Sequence, residues 1–146
     1  MKRTVLVMVL AISVLAVMSC KTTGKSEDTD DIFRKAYDKY AGHLILDGAE
    51  TYTVQSGDIL SRIAHSLYGD GYYYPIIMLA SRDIVLDPDK IQPGMELIVP
   101  NLENNLADAK AKESIKGIIL ECAKIEENRG RAETAQGLRD HANKIE

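Results

Sequence analysis

The 146-residue chain has a formal net charge of -4, and setting aside its first 19 residues, whose only charged side chains are Lys2 and Arg3, deepens that to -6. A surface of that sign repels phosphate backbones and argues against a nucleic-acid partner. With one Phe, no Trp and seven Tyr, there is room for one small domain and appendages, with tyrosines supplying most of the aromatic volume.

The opening MKRTVLVMVLAISVLAVMSC passes from a basic start into an almost unbroken apolar run, Val5 to Met18. As a helix that run reaches only about 21 Å, short of the roughly 30 Å hydrocarbon core. The pattern predicts an export signal over residues 1–19. Val17-Met18-Ser19-Cys20 resembles a bacterial lipobox, which implies lipidation of Cys20. Acyl chains there would anchor the chain to a membrane without spanning it, as a cell-envelope lipoprotein facing the periplasm or the cell exterior. Cys122 is then the remaining thiol, so no intrachain disulfide is expected. Residues 21–30, KTTGKSEDTD, hold no apolar side chain, and residues 20–30 read as a flexible tether.

Phe33, Tyr37, Tyr40 and Leu44 recur at helical spacing. They predict an amphipathic helix within residues 31–48, capped by Asp30 or Asp31 and ended by Gly48.

Two strand-like stretches, Thr51 to Val54 and Glu96 to Val99, bracket the middle of the chain, with the turn pair Pro93-Gly94 before the second. Between them Ile59, Leu60, Ile63, Ala64 and Leu67 have helical spacing, and Asp58 is placed to cap that helix. The tyrosine-rich Gly69 to Pro75, GDGYYYP, reads as the start of a second helix. Asp70 or Gly71 would cap it and Pro75 would fall in its first turn. On that helix Tyr73 and Tyr74 fall on the core side, and Tyr72 is the candidate for solvent.

The order is strand, helix, helix, strand. The pieces Tyr52-Thr53-Val54, Ser56-Gly57-Asp58, Tyr68-Gly69-Asp70, Tyr74-Pro75, Asp87-Pro88-Asp89, Pro93-Gly94 and Leu97-Ile98-Val99-Pro100 together resemble a LysM domain over residues 51–100. The resemblance implies a small β-α-α-β module that binds N-acetylglucosamine-containing glycan, such as peptidoglycan. It places the groove between Gly57, Asp58 and Ile59 on one loop and Asp83, Ile84 and Val85 on another, with Ile59 and Ile84 as apolar walls. The chain departs from the family pattern at Ile59, where Thr is usual, at Ser81, where Asn is usual, and at Met95, where Gln is usual.

Beyond residue 101, Ile115, Ile118, Ile119, Cys122 and Ile125 form one stripe, Gly130 breaks the chain, and Ala132, Ala135, Leu138, Ala142 and Ile145 form another. Residues 102–146 therefore read as a helical hairpin packed on the central domain. The whole is an α+β chain: one LysM domain, an amphipathic helix before it and a hairpin after it. Phe33, Tyr37 and Ile118 or Ile119 are expected to be mutually buried.

Too few residues flank the module for a catalytic fold of ordinary size. His43, His65 and His141 stand singly and read as surface or helix-boundary residues, and Glu126-Glu127 reads as a solvated helix face. No catalytic residue, metal ligand or cofactor is expected. The alternative to a glycan binder is an envelope scaffold whose module has lost its ligand and whose helices recruit a partner protein, which would leave Ile118, Ile119 or Leu138 uncovered.

Overall fold

The computed structural model describes residues 29–146; the expected signal, Cys20 and all but the last two residues of the expected tether lie outside them. Six helices and two strands follow in the order α1 (Thr29–Tyr40), β1 (Glu50–Thr53), α2 (Leu60–Tyr68), α3 (Tyr74–Ala80), β2 (Glu96–Val99), α4 (Leu102–Ala107), α5 (Ala109–Asn128) and α6 (Ala132–Lys144). Single 3-10 turns cover Ala41–His43, Gly71–Tyr73 and Pro88–Lys90.

Strands β1 and β2 pair antiparallel, with Tyr52 opposite Leu97 and Thr51 opposite Ile98. Leu97 and Val99 face inward while Glu96 and Ile98 face out, the period-2 alternation of a sheet covered on one side. A two-stranded sheet has two open edges. On β2 the Ser81 hydroxyl covers part of one: it accepts from the Ile98 amide at 2.8 Å and donates to the Ile98 carbonyl at 3.4 Å. Serine at this position thus still ties the end of α3 to the sheet. Met95 also has a local role, its Sδ accepting from the Gln92 amide at 3.4 Å.

Helix α3 is the centre of the molecule. All seven of its residues, YPIIMLA, are buried, as expected of a helix that is apolar all round and enclosed by neighbours. It packs on α2, β2 and α5. Asp70 caps the preceding 3-10 turn by accepting from the Tyr72 amide at 2.9 Å. Tyr74 is 5% exposed. Tyr72 corrects the reading that gave it to solvent: it is half-buried and lies against α6, where a Cβ on Gly137 would stand 2.0 Å from its hydroxyl. A larger residue there would push the Tyr72 ring aside.

The appended helices belong to the same core. Phe33, Tyr37, Ile118 and Ile119 are all at most 2% exposed and share one cluster with the interior of α2, α3 and β2. The Tyr37 hydroxyl donates to the Val85 carbonyl at 2.9 Å. Helix α5 approaches α1 so closely that a Cβ on Gly117 would meet the Tyr40 ring at 2.1 Å.

The described part of helix α1 opens at Thr29, with Asp30 and Asp31 near that end. It ends at Tyr40, short of Leu44 and Gly48. The buried Asn105 amide explains the early stop: it accepts from the Ile45 amide and donates to the Ile45 carbonyl, both at 2.8 Å, holding that backbone out of the helix. Gly48, at φ 74°, serves the turn into β1.

The expected hairpin is α5 and α6, preceded by the unforeseen short helix α4, which Asn101 caps through the Asn104 amide. The stripe on α5 is buried as read, and on α6 Ala135, Leu138, Ala142 and Ile145 are buried while Ala132 is exposed. Leu67, expected on the inner face of α2, is 40% exposed. It lines a hollow of about 690 Å³ between α2, the sheet edge and α4.

His141 stands in the last turn of α6, at the helix boundary the sequence implied, but is buried inside this packing and not at a surface. Its Nδ1 lies 3.1 Å from Asp70 Oδ2, and its ring meets Tyr73 edge-on at 4.2 Å. Burial holds its pKa below the ordinary imidazole value, while Asp70 opposes and nearby Lys144 assists that shift. A histidine lowered on folding stabilises fully above its unfolded pKa of about 6.5, and that contribution is lost as pH falls below it. The melting temperature is therefore expected to decline as pH drops below about 6.5, and His141→Gln to flatten the decline. An equally steep decline in the variant would place the titration elsewhere.

Candidate functional site

The loop from β1 to α2 is shaped by one carboxylate. Asp58 Oδ2 accepts from the Gln55 amide and from the Tyr52 hydroxyl, each at 2.8 Å. These bonds, the backbone one foremost, hold the carboxyl below its usual range. Asp58 is therefore a loop clamp and not the helix cap the sequence implied; Ile59 occupies the cap position of α2 without a side-chain bond. Gly57, at φ 89°, gives the loop its left-handed turn. Ile59 consequently projects outward and is 50% exposed.

On the second loop Asp83 and Ile84 are exposed, Ile84 by 47%. Val85 differs: it is 2% exposed and its side chain belongs to the core, so of the six expected contacts it has no side-chain route to a ligand. Adjacent residues of a short turn cannot both face out when one anchors the loop, and here Val85 is the anchor.

A cleft of about 330 Å³ opens beside Asp58 and Ile59. Leu60 and Ser61 at the start of α2, Tyr74, and Pro88, Asp89 and Ile91 of the second loop line its module side. The far side comes from outside the strand-helix-helix-strand unit: Glu126, Arg131 and Thr134. Asp83 and Ile84 lie outside this lining. The larger hollow beside α4 lacks the Asp58 and Ile59 loop altogether.

Glu126 corrects the solvated-face reading. Its side chain is 2% exposed and bonds Arg129 Nη1 at 3.3 Å and Arg131 Nη1 at 3.1 Å. Arg129 also reaches Asp87 at 2.8 Å and lies 5.4 Å above the Phe33 ring centroid. Arg131 grips Asp89 with both terminal nitrogens, which holds the Asp89 carboxyl below its usual range. Asp87 caps the Pro88–Lys90 turn through the Asp89 amide at 3.0 Å. A single lattice of three carboxylates and two guanidiniums thus joins the second loop to the end of α5. Cys122, buried in the stripe beneath it, has its thiol pushed up by burial and is chemically quiet.

Nothing local announces this lattice, because its members lie about forty residues apart and each stretch by itself reads as surface. The signal that could have found it is the pair Arg129 and Arg131 flanking Gly130, a helix end with two cations beside its last carboxylates.

Residues 52–100 match the family described as LysM domain, and that segment is a LysM domain. Over 52 residues the chain is 42% identical to the potassium binding protein Kbp of Escherichia coli O6:H1, covering 36% of this chain and 35% of that protein. Over 53 residues it is 45% identical to an uncharacterized protein of Deinococcus radiodurans, covering 36% of this chain and 20% of that one. The chain therefore spans about a third or less of these relatives. No solved structure matches it significantly. LysM domains are in general non-catalytic modules that bind N-acetylglucosamine-containing glycans, peptidoglycan among them.

Proposed function

We propose that the chain is a lipid-anchored cell-envelope protein that binds the N-acetylglucosamine glycan of peptidoglycan through its LysM domain, without catalysis. The observation that carries this is that Ile59 and Ile84 each project about half-exposed from loops whose backbones are fixed by buried or clamped neighbours. An acetamido sugar suits such a surface, since its ring faces and methyl want apolar contact while its amide wants backbone partners. Anchoring is supported by the lipobox-like Val17 to Cys20. One shallow site of this kind binds in the range of about ten micromolar to one millimolar, and confinement between membrane and wall raises the effective concentration.

The scaffold reading has less support. Ile118, Ile119 and Leu138, the residues it needs uncovered, are fully buried inside the chain.

Purified sacculi provide the test. The full chain is expected to be retained on them, and Ile59→Asp with Ile84→Asp is expected to weaken retention about tenfold or more. The melting temperature should stay close to that of the parent, because both side chains are already half in water. Parent-like retention by the double variant overturns the proposal.

A further inference from the structure

We infer that the C-terminal hairpin supplies one wall of the saccharide site, so that a bound neutral acetamido sugar touches Arg131 and Thr134 as well as the LysM loops. The inference rests on the glycan-binding reading and goes beyond it, because both residues lie outside the LysM domain.

The placement begins in the local sequence. Helix α5 closes with the Gly130 amide bonded to the Glu127 carbonyl and the Arg131 amide bonded to the Glu126 carbonyl, both at 2.9 Å. This is a Schellman closure around a left-handed glycine, φ 78°. It sets Arg131 directly above Glu126, and the guanidinium then spans from the buried Glu126 carboxylate to Asp89 on the LysM loop. Thr134 follows on the first turn of α6 and lines the same cleft.

A cleft of about 330 Å³ is at the lower end of small-ligand sites. Ile59, Pro88 and Ile91 offer it apolar contact, and Asp89 with Arg131 offers acceptors and donors in fixed geometry. The bonds from Arg131 to Asp89 and Glu126 occupy three of its five N–H donors. Asp58, Asp89 and Glu126 stand against one cation in the lining, a balance that disfavours carboxylate-bearing groups. The ligand class that fits is an uncharged, hydroxyl-rich sugar with an acetamide.

Two measurements on the full chain with tri-N-acetylchitotriose test this. In NMR titration of the unsubstituted protein, the Arg131 Nε–H and Thr134 amide signals are expected to shift along with those of Gly57 to Ile59. In calorimetric titration, Thr134→Arg, which fills the cleft from the hairpin side, is expected to weaken binding about tenfold or more, whereas Thr134→Ser binds like the parent. Shifts confined to the LysM loops together with parent-like binding by Thr134→Arg overturn the hairpin wall and leave glycan binding standing. Failure of the unsubstituted chain to bind chitotriose overturns the wall; failure to bind sacculi as well overturns the glycan reading beneath it.

Discussion

Replacing Phe33 with Ala is expected to lower the unfolding free energy by about 3–5 kcal/mol. Phe33 is fully buried, stacks on Tyr37 with ring centroids 6.0 Å apart, and carries the Arg129 guanidinium on its face. Its removal would leave a cavity shared by α1, α5 and the LysM interior, bounded by close-packed groups that cannot collapse freely. Urea unfolding of the full chain measures the loss, and a single transition is expected for parent and variant alike because the helices and the module share one core. A loss below about 1 kcal/mol would mean that α1 is a detachable arm. Truncating the flanking helices is, for the same reason, an unsuitable way to isolate the glycan site.

Glu126→Ala is expected to cost about 3 kcal/mol, the lower end of the range for breaking a buried pair. The carboxylate is 2% exposed and serves both Arg129 and Arg131. Without it Arg129, itself only 17% exposed, retains Asp87 and Asp89 but loses one of its three partners in a poorly hydrated position. The neighbouring Glu127 gives the control. It pairs with Arg139 in the open, with side chains 56% and 31% exposed, and Glu127→Ala should cost less than about 1 kcal/mol. Chemical denaturation of the two variants side by side checks the contrast; equal losses would show that burial does not distinguish the adjacent carboxylates.

The parts of the fold legible in sequence were those written locally. The two strands, α2 and α3 are announced by alternation, by turn pairs and by apolar spacing, and the α5 stripe by four isoleucines and a cysteine. What could not be read was decided by distant partners. Leu44 continues the α1 spacing perfectly well, yet Asn105, sixty residues on, pulls the neighbouring backbone of Ile45 out of the helix. His141 looks like any histidine near a chain end until Asp70 and Tyr73 enclose it. Glu126 and Glu127 are indistinguishable as letters, yet one is buried against Arg129 and Arg131 and the other stays wet beside Arg139. At the candidate site, Gly57, Asp58, Ile59, Asp83 and Ile84 lie on surface loops as expected, whereas Val85 was drawn in by its role as an anchor. On the far side of the cleft, Arg131 has a local signal in its place beside Gly130, and Thr134 has none.

An ion pair between Asp30 and Lys90, 2.7 Å apart, ties the described start of α1 to the Pro88–Lys90 turn. Lys90 ends the same turn that contributes Pro88 and Asp89 to the cleft. The N-terminal end of the described chain is thereby held beside the turn that borders the cleft, by an exposed contact worth no more than about 1 kcal/mol.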